Sequence, residues 1–104
     1  MARTTPRSVL PPMRERDLQA LVRQACGLYR WTYFHPWTSV HSPAGYPDVT
    51  AVRRERLIFA ELKRQGQPPT PAQQQWLDAL AQVTQVECYV WTPADVDTLL
   101  ELLR

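Results

Sequence analysis

Lysine is nearly absent from this 104-residue chain, whose twelve basic side chains are eleven arginines and Lys63. A guanidinium stays protonated, whereas the pKa of an ammonium moves readily and lets lysine take part in proton transfer. A lone lysine among arginines therefore either marks a site that needs an ammonium or is chance. Its neighbours decide between the two.

Long apolar runs and cysteines are also scarce. No apolar run reaches the ~18–20 residues that span a membrane, and the first residues lack the apolar segment of a signal peptide. The two cysteines, Cys26 and Cys88, have no metal-type spacing, which is typical of a reduced setting. With 44% hydrophobic and 21% charged residues, the composition is that of one globular domain. We therefore expect a cytoplasmic protein with no membrane partner.

The net charge of +2 conceals a segregation along the chain. Positive charge concentrates in residues 1–16 and 53–64, and acidic residues predominate in 78–104. The basic segments fit a polyanion-binding surface. An ordinary solvated surface explains the same pattern.

Hydrophobic periodicity and capping residues predict the element order α-β-β-β-α-β-α. Apolar residues recur at helical spacing over 14–29, and aromatic or β-branched runs predict strands over 31–35, 46–52, 57–62 and 86–91. Thr70 and Thr92 each precede a proline, with Gln73 or Asp95 three residues further on. That pattern begins helices, here one over 71–83 and a last one after Thr92.

The order of these elements predicts an α/β fold with a mixed central sheet flanked by helices. A strand, a helix and a strand follow one another over 57–91, which favours a right-handed parallel crossover. Residues 1–12 contain three prolines and no apolar periodicity, so we expect a flexible N-terminal arm before a single domain over 13–104.

The charged turn between the two central strands brings three ionisable residues together. If the turn closes on Arg54 and Glu55, Asp48 lies opposite Glu61, and period-two alternation puts Lys63 on the same face. Arg-Glu is not a favoured two-residue hairpin turn, so a slipped register stays open. Glu61 and Lys63 share a face in either case.

Two carboxylates and an ammonium at the ends of apolar strands call for a partner, because burying unpaired charge costs free energy. Mg²⁺ prefers oxygen ligands and commonly binds carboxylates together with waters and phosphate oxygens. Such an ion activates water and neutralises charge on a phosphate, and Lys63 has the proton chemistry to assist. The alternative is a structural salt bridge from Lys63 to one of the acids, since Glu-x-Lys is a common tripeptide.

The ordered motifs resemble the PD-(D/E)XK nuclease superfamily, and in particular its VRR-NUC branch of virus-type replication-repair nucleases. The resemblance covers about residues 13–97 and implies an αβββαβ core, dependence on Mg²⁺ or Mn²⁺, and endonucleolytic hydrolysis of DNA phosphodiester bonds. The motifs that carry it are the arginine-rich turn together with Gly45-Tyr46-Pro47-Asp48, Phe59-Ala60-Glu61-Leu62-Lys63, Thr70-Pro71-Ala72-Gln73 and Trp76-Leu77.

The resemblance also implies roles for single residues. Asp48 and Glu61 match the metal-binding acids of the family, and the carbonyl of Leu62 is expected as a further ligand. Lys63 matches the catalytic lysine. Gln73 matches the glutamine that follows the lysine motif on the next helix, although it is equally explained as the second half of a capping box.

Two acidic residues of the first helix are candidates for the same metal-binding role. Glu15 matches the family's acidic residue at this helix and is expected as a metal ligand, although it also suits the positive end of the helix dipole. Asp17 lies two positions further on, about 200° around the helix. Only one of the two can therefore face the site.

Further residues are expected to contact DNA. The alternative is that these side chains are only exposed to solvent. Contacts from arginine to phosphate depend on salt and are blind to sequence. The residues are Arg53, Arg54, Arg56, Arg64, His35 and His41.

Small stand-alone members of the branch resemble junction resolvases. The resemblance therefore implies branched DNA, such as a four-way junction, as a substrate in DNA repair, in a bacterial or phage-infected cell. A homodimer is expected, because a two-fold dimer matches a two-fold substrate, and no small-molecule cofactor is expected. The alternative is a non-catalytic nucleic-acid-binding or assembly subunit that keeps the fold.

Overall fold

The computed structural model describes residues 13–36 and 44–104, and its elements follow the predicted order. The expected arm over 1–12 and His41 lie outside the described residues. Within the described ranges, no helix has the length and apolar character that crossing a bilayer requires. The elements are α1 (Glu15–Leu28), β1 (Thr32–Phe34), β2 (Val49–Arg53), β3 (Arg56–Leu62), α2 (Pro71–Ala81), β4 (Val86–Trp91), a 3₁₀ turn (Pro93–Asp95) and α3 (Val96–Leu103).

The four strands form one mixed sheet in the order β1-β2-β3-β4. β2 pairs antiparallel with both β1 and β3, and β4 pairs parallel with β3. Parallel neighbours need a crossover connection, and α2 supplies it and packs against β4. The predicted α/β architecture with a mixed, helix-flanked sheet is confirmed.

The β2–β3 hairpin adopts the register that the sequence suggested. Val49 pairs with Ala60 and Arg53 with Arg56, so the turn closes on two residues. Arg54 has a φ of 56°, the positive value that two-residue hairpin turns need at their first central position. An arginine is sterically disfavoured there, yet the register does not slip.

Four elements are shorter than predicted, and α1 and β1 each lose one residue at both ends. β2 begins at Val49 rather than at residue 46, because Tyr46 packs edge-on against Trp76 instead of pairing, with ring centroids 5.1 Å apart. Helix α2 ends at Ala81 rather than at residue 83, and Val83 is 51% exposed.

The main core lies on one face of the sheet, between the strands and the pair α1 and α3. Alternation along the strands brings apolar side chains to that face, and burying each of the larger ones contributes about 1.5–3 kcal/mol. A slip by one residue would expose the whole set, so the core fixes the register that positions the charged strand ends. The strands contribute Val49, Ala51, Ile58, Ala60 and Leu62, and the helices contribute Leu18, Val22, Cys26, Leu99 and Leu103.

Candidate active site

Asp48 and Glu61 lie at the same end of the β2–β3 pair. Each lies one residue beyond the pair formed by Val49 and Ala60. Asp48 Oδ2 accepts a hydrogen bond from the backbone N–H of Leu62 at 2.9 Å. This bond fixes the first carboxylate against the strand that carries the second.

Lys63 follows directly after β3 and extends its pairing. Its N–H donates to the carbonyl of Trp91 at 2.9 Å, and its Nζ lies 3.7 Å from Glu61 Oε2. The two side chains are 7% and 1% exposed. No other charged residue in the described part of the chain is buried. The predicted juxtaposition of Glu61 and Lys63 is therefore present, and it is buried.

Glu61 is the most perturbed acid of this site. Burial, together with repulsion from Asp48 and a hydrogen bond to it, raises the pKa of Glu61 to about 8, against the opposing effect of Lys63. Glu61 Oε1 is buried and accepts no hydrogen bond from the described residues. Because buried polar atoms almost always have a partner, this oxygen is suited to bind a ligand.

The donor atoms at this end of the sheet fit a hard divalent cation. Carboxylate and carbonyl oxygens are the ligands that Mg²⁺ and Mn²⁺ prefer, and Asp48, Glu61 and the Leu62 carbonyl provide that type. Residues 13–36 and 44–104 contain no cluster of three or more His, Cys, Asp or Glu side chains able to hold a metal. A two-carboxylate site, completed by waters or phosphate oxygens, is within the usual pattern for Mg²⁺.

Of the two rival acids on α1, only Glu15 is among the charges that raise the pKa of Glu61. Asp17 instead accepts hydrogen bonds from the backbone N–H and Nε of Arg14, at 3.0 and 3.2 Å, and so caps its own helix. A role for Glu15 as a ligand stays a prediction.

Gln73 makes both hydrogen bonds of the capping box. Its N–H donates to Thr70 Oγ1 at 3.2 Å, and its Oε1 accepts from the Thr70 N–H at 2.8 Å. The start of α2 also abuts the segment that leads to Asp48, because a Cβ added to Gly45 would lie 2.8 Å from the Gln73 nitrogen and 2.5 Å from the Ala72 carbonyl. The cap is thus present next to the acid-bearing segment, and a catalytic role for Gln73 stays a prediction.

His35 makes a contact that the sequence did not suggest. Its Nδ1 lies 2.6 Å from the carbonyl oxygen of Asp48, just beyond the β1–β2 pairing that ends at Phe34 and Thr50. With the proton on Nδ1, His35 donates to that carbonyl and ties the end of β1 to the main chain of Asp48. The antiparallel pairing of β1 with β2 is the signal that would have located it.

Two of the arginines expected to bind DNA instead make contacts within the protein, at the end of α3. Arg53 donates to two main-chain carbonyls at 3.0 Å each, and Arg56 forms a bidentate pair with Glu87 at 2.8 Å. Both guanidinium groups lie over the Trp31 ring, 4.5 and 5.1 Å from its centroid. These contacts fix the end of α3 against the sheet.

The other two arginines are exposed. Arg54 lies in the hairpin turn, and Arg64 follows Lys63 and donates from Nε to Gln67 at 3.1 Å. Contacts of all four arginines and of His35 with DNA stay predictions.

Solved structures with a similar fold include two VRR-NUC proteins. One is a VRR-NUC domain protein, with a TM-score of 0.65 and 20% identity over 89% of this chain and 87% of that one. The other is a VRR-NUC domain, with a TM-score of 0.67 and 20% identity over 84% of this chain and 94% of that one. The chain has the VRR-NUC fold.

The VRR-NUC fold accounts for nearly the whole described chain, and it confirms at the level of fold the resemblance seen in the motifs. No family model and no curated protein matches the sequence. At 20% identity, the likeness lies in the arrangement of helices and strands.

Proposed function

We propose that this chain is a metal-dependent DNA endonuclease that hydrolyses phosphodiester bonds. One observation carries the proposal: Glu61, a buried carboxylate with one oxygen that has no partner among the described residues, lies beside Asp48 and Lys63 at one end of the sheet. The VRR-NUC fold that the chain shares with its solved neighbours supports the same assignment.

The proposed cofactor is Mg²⁺, with Mn²⁺ as its substitute. Asp48, Glu61 and the Leu62 carbonyl would hold it. Glu15 would be a further ligand only by moving closer or through a bridging water, because the described residues contain no ligating cluster of three acids. When bound, such an ion polarises a phosphoryl oxygen and lowers the pKa of water. No small-molecule cofactor is part of the proposal.

The residues of the chain prepare the site for in-line attack by water. Asp48 is held by the Leu62 N–H at 2.9 Å, so its orientation needs no rearrangement during the reaction. Lys63 lies nearly buried beside Glu61, where it can position the attacking water, help to deprotonate it, or neutralise charge on the phosphate. The water oxygen forms a P–O bond as one ester P–O bond breaks; the attacking water gives up one proton and the leaving oxygen takes one up.

We also propose branched DNA, such as a four-way junction, as the substrate of a homodimer in the cytoplasm of a bacterial or phage-infected cell. A two-fold dimer presents two equivalent sites to a two-fold substrate. The excess of cations in residues 53–64 suits a phosphate-rich partner.

A non-catalytic nucleic-acid-binding subunit is the second candidate. It is favoured by the lack of a three-residue ligating cluster in the part of the chain that the structure describes. The burial of Glu61 and Lys63 beside Asp48 speaks against it, because a buried acid and ammonium are costly to retain without a use.

The deciding experiment is a cleavage assay with Mg²⁺ or Mn²⁺ on linear, flap, splayed and four-way DNA. Wild type is compared with Asp48→Asn and Lys63→Ala, and Asp78→Asn removes an exposed acid of α2 as the matched control. We expect cutting by wild type and Asp78→Asn only. Failure of wild type on every substrate refutes the nuclease and leaves the binding subunit. Cutting by both site variants at the wild-type rate refutes the assignment of the active site to Asp48 and Lys63.

A further inference from the structure

A second group of basic side chains lies at the opposite end of the β2–β3 hairpin from Asp48 and Glu61. The turn after α1 and the hairpin turn enclose an open groove there, with a volume of about 560 Å³. Four arginines line it, Arg30, Arg53, Arg54 and Arg104, and no Asp or Glu is among the described residues that line it. We name it the distal groove.

The backbone at two of these arginines is sterically disfavoured. Arg30 has a φ of 67° and Arg54 a φ of 56°, values that bulky residues rarely adopt. Only three residues other than glycine have a positive φ in the described chain, and two of them line the distal groove. Asparagine or glycine fits this backbone with less strain. The local turn geometry therefore does not account for an arginine at either position.

The same two arginines are also available to a ligand. Both are exposed, and neither side chain makes a hydrogen bond or salt bridge within residues 13–36 and 44–104. Arg53 differs, because it donates to three main-chain carbonyls, and Arg104 pairs with Glu101. Among the described residues, the groove thus has two arginines with hydrogen-bond partners, Arg53 and Arg104, and two without, Arg30 and Arg54.

This arrangement suits phosphate. A planar guanidinium binds phosphate oxygens in a bidentate manner. No Asp or Glu side chain among the described lining residues competes for it, and the main-chain oxygen of Arg104 is already bound by Arg53. We propose that the distal groove binds the phosphate backbone of DNA away from the cleavage site, with Arg30 and Arg54 as its contacts. This inference rests on the proposed function, since it names a second DNA contact of the same enzyme.

The strand geometry gives the spacing of the two DNA contacts. From Asp48 to Arg54 the chain advances six residues along β2 and into the turn, which is about 20 Å at roughly 3.3 Å per residue. With a rise of about 3.4 Å per base pair on each strand, this corresponds to about six base pairs. A duplex arm that leaves the cleavage site along β2 therefore reaches the distal groove.

The test measures binding of the full chain to a labelled duplex in EDTA, where cleavage does not interfere, over a range of salt concentrations. Wild type is compared with Arg30→Asn, Arg54→Asn and the double variant. Each lost phosphate contact should make the slope of log K against log salt shallower by about 0.9. The double variant should therefore change the slope by about 1.8.

Three further variants separate the charge from the backbone. Arg54→Lys keeps the charge and should recover most of the slope. Gln85→Asn alters the third left-handed position outside the groove, and Arg23→Gln removes an exposed cation of α1; neither should change the slope comparably. Because asparagine tolerates a positive φ, the groove variants should keep or raise the melting temperature while they lose affinity.

The outcomes for the groove and for the nuclease are distinguishable. If wild type cuts DNA and the double variant binds with the wild-type slope, the distal groove is refuted and the nuclease stands. If the double variant has the expected shallower slope and wild type cuts nothing, the groove stands and the nuclease is refuted. A wild type that does not bind duplex DNA in EDTA refutes the groove, whatever it cuts.

Discussion

The Nζ of Lys63 lies 3.7 Å from Oε2 of Glu61, and both side chains are nearly excluded from solvent. A buried ion pair is weak support for stability, because desolvation offsets most of the attraction. Here the pairing is also incomplete, since the other Glu61 oxygen accepts no hydrogen bond from the described residues. The pair is better explained as part of a site than as part of the core.

The raised pKa of Glu61 predicts how stability depends on pH without metal. The pKa rises from 4.5 to about 8 on folding, so the folded protein keeps a proton that the unfolded chain releases. The contribution of Glu61 to the free energy of unfolding is fully present below pH 4.5, and it is lost as the pH rises from 4.5 to about 8. Urea unfolding in EDTA measures it. Glu61→Gln should abolish the decline, and a variant that declines as wild type does would contradict the assignment.

Adding a divalent cation should reverse that loss. An ion that binds only the folded state stabilises it, by about 2.7 kcal/mol when its free concentration is a hundredfold above Kd. At pH 8, Mg²⁺ or Mn²⁺ should therefore raise the melting temperature of wild type and of the control Asp78→Asn. Asp48→Asn and Glu61→Gln should respond weakly. Equal responses by all four proteins would show that any bound ion lies elsewhere.

His35 is expected to position Asp48 rather than to touch the reacting atoms. Its Nδ1 is 2.6 Å from the Asp48 carbonyl oxygen, so His35→Ala should weaken Mn²⁺ binding and lower kcat. His35→Asn retains an N–H donor near the same place and should recover part of both. Titration with Mn²⁺ and single-turnover cleavage measure the two effects. A His35→Ala protein that only loses DNA affinity would instead identify His35 as a DNA contact.

The two glycines with positive φ provide a matched pair for stability. Gly45 and Gly66 have φ values of 89° and 84°, so alanine strains the backbone at both. At Gly45 the added Cβ would also lie 2.5 Å from the Ala72 carbonyl, whereas at Gly66 nothing lies within 4 Å.

Gly45→Ala should therefore destabilise the protein clearly more than Gly66→Ala, which carries only the backbone cost of about 1–3 kcal/mol. Chemical denaturation of both variants measures the difference. Gly45→Ala should also lower cleavage, because the contact sets the segment that leads to Asp48. Equal losses of stability would mean that the close approach of this segment to α2 has no energetic consequence.

The central hairpin could be predicted from the sequence because its constraints are local. One apolar face and a two-residue turn fix the pairing of Val49 with Ala60, and strand alternation then brings Glu61 and Lys63 together. The capping box at Thr70 is equally local. These features need only neighbours within a few residues or across one turn.

The contacts that the sequence did not reveal join distant elements. His35 meets Asp48 only because β1 pairs with β2, and Gly45 meets Ala72 only because α2 begins there. A count of charges in the sequence likewise treats all arginines alike. In the structure, however, Arg56 forms a bidentate pair with Glu87 of another strand, and Arg54 does not. Which arginine has a partner is decided by tertiary packing.

The most direct test of the central claim is the rate of Mg²⁺-dependent DNA cleavage by Lys63→Arg relative to wild type. Arginine keeps the positive charge but is poorly suited to proton transfer, so the rate should fall by about 10²–10⁴-fold, the usual contribution of a positioned acid or base. DNA affinity and melting temperature, measured on the same preparation, should stay close to wild type. Cleavage by Lys63→Arg at a near-normal rate would contradict the account and leave the lone lysine without a catalytic role.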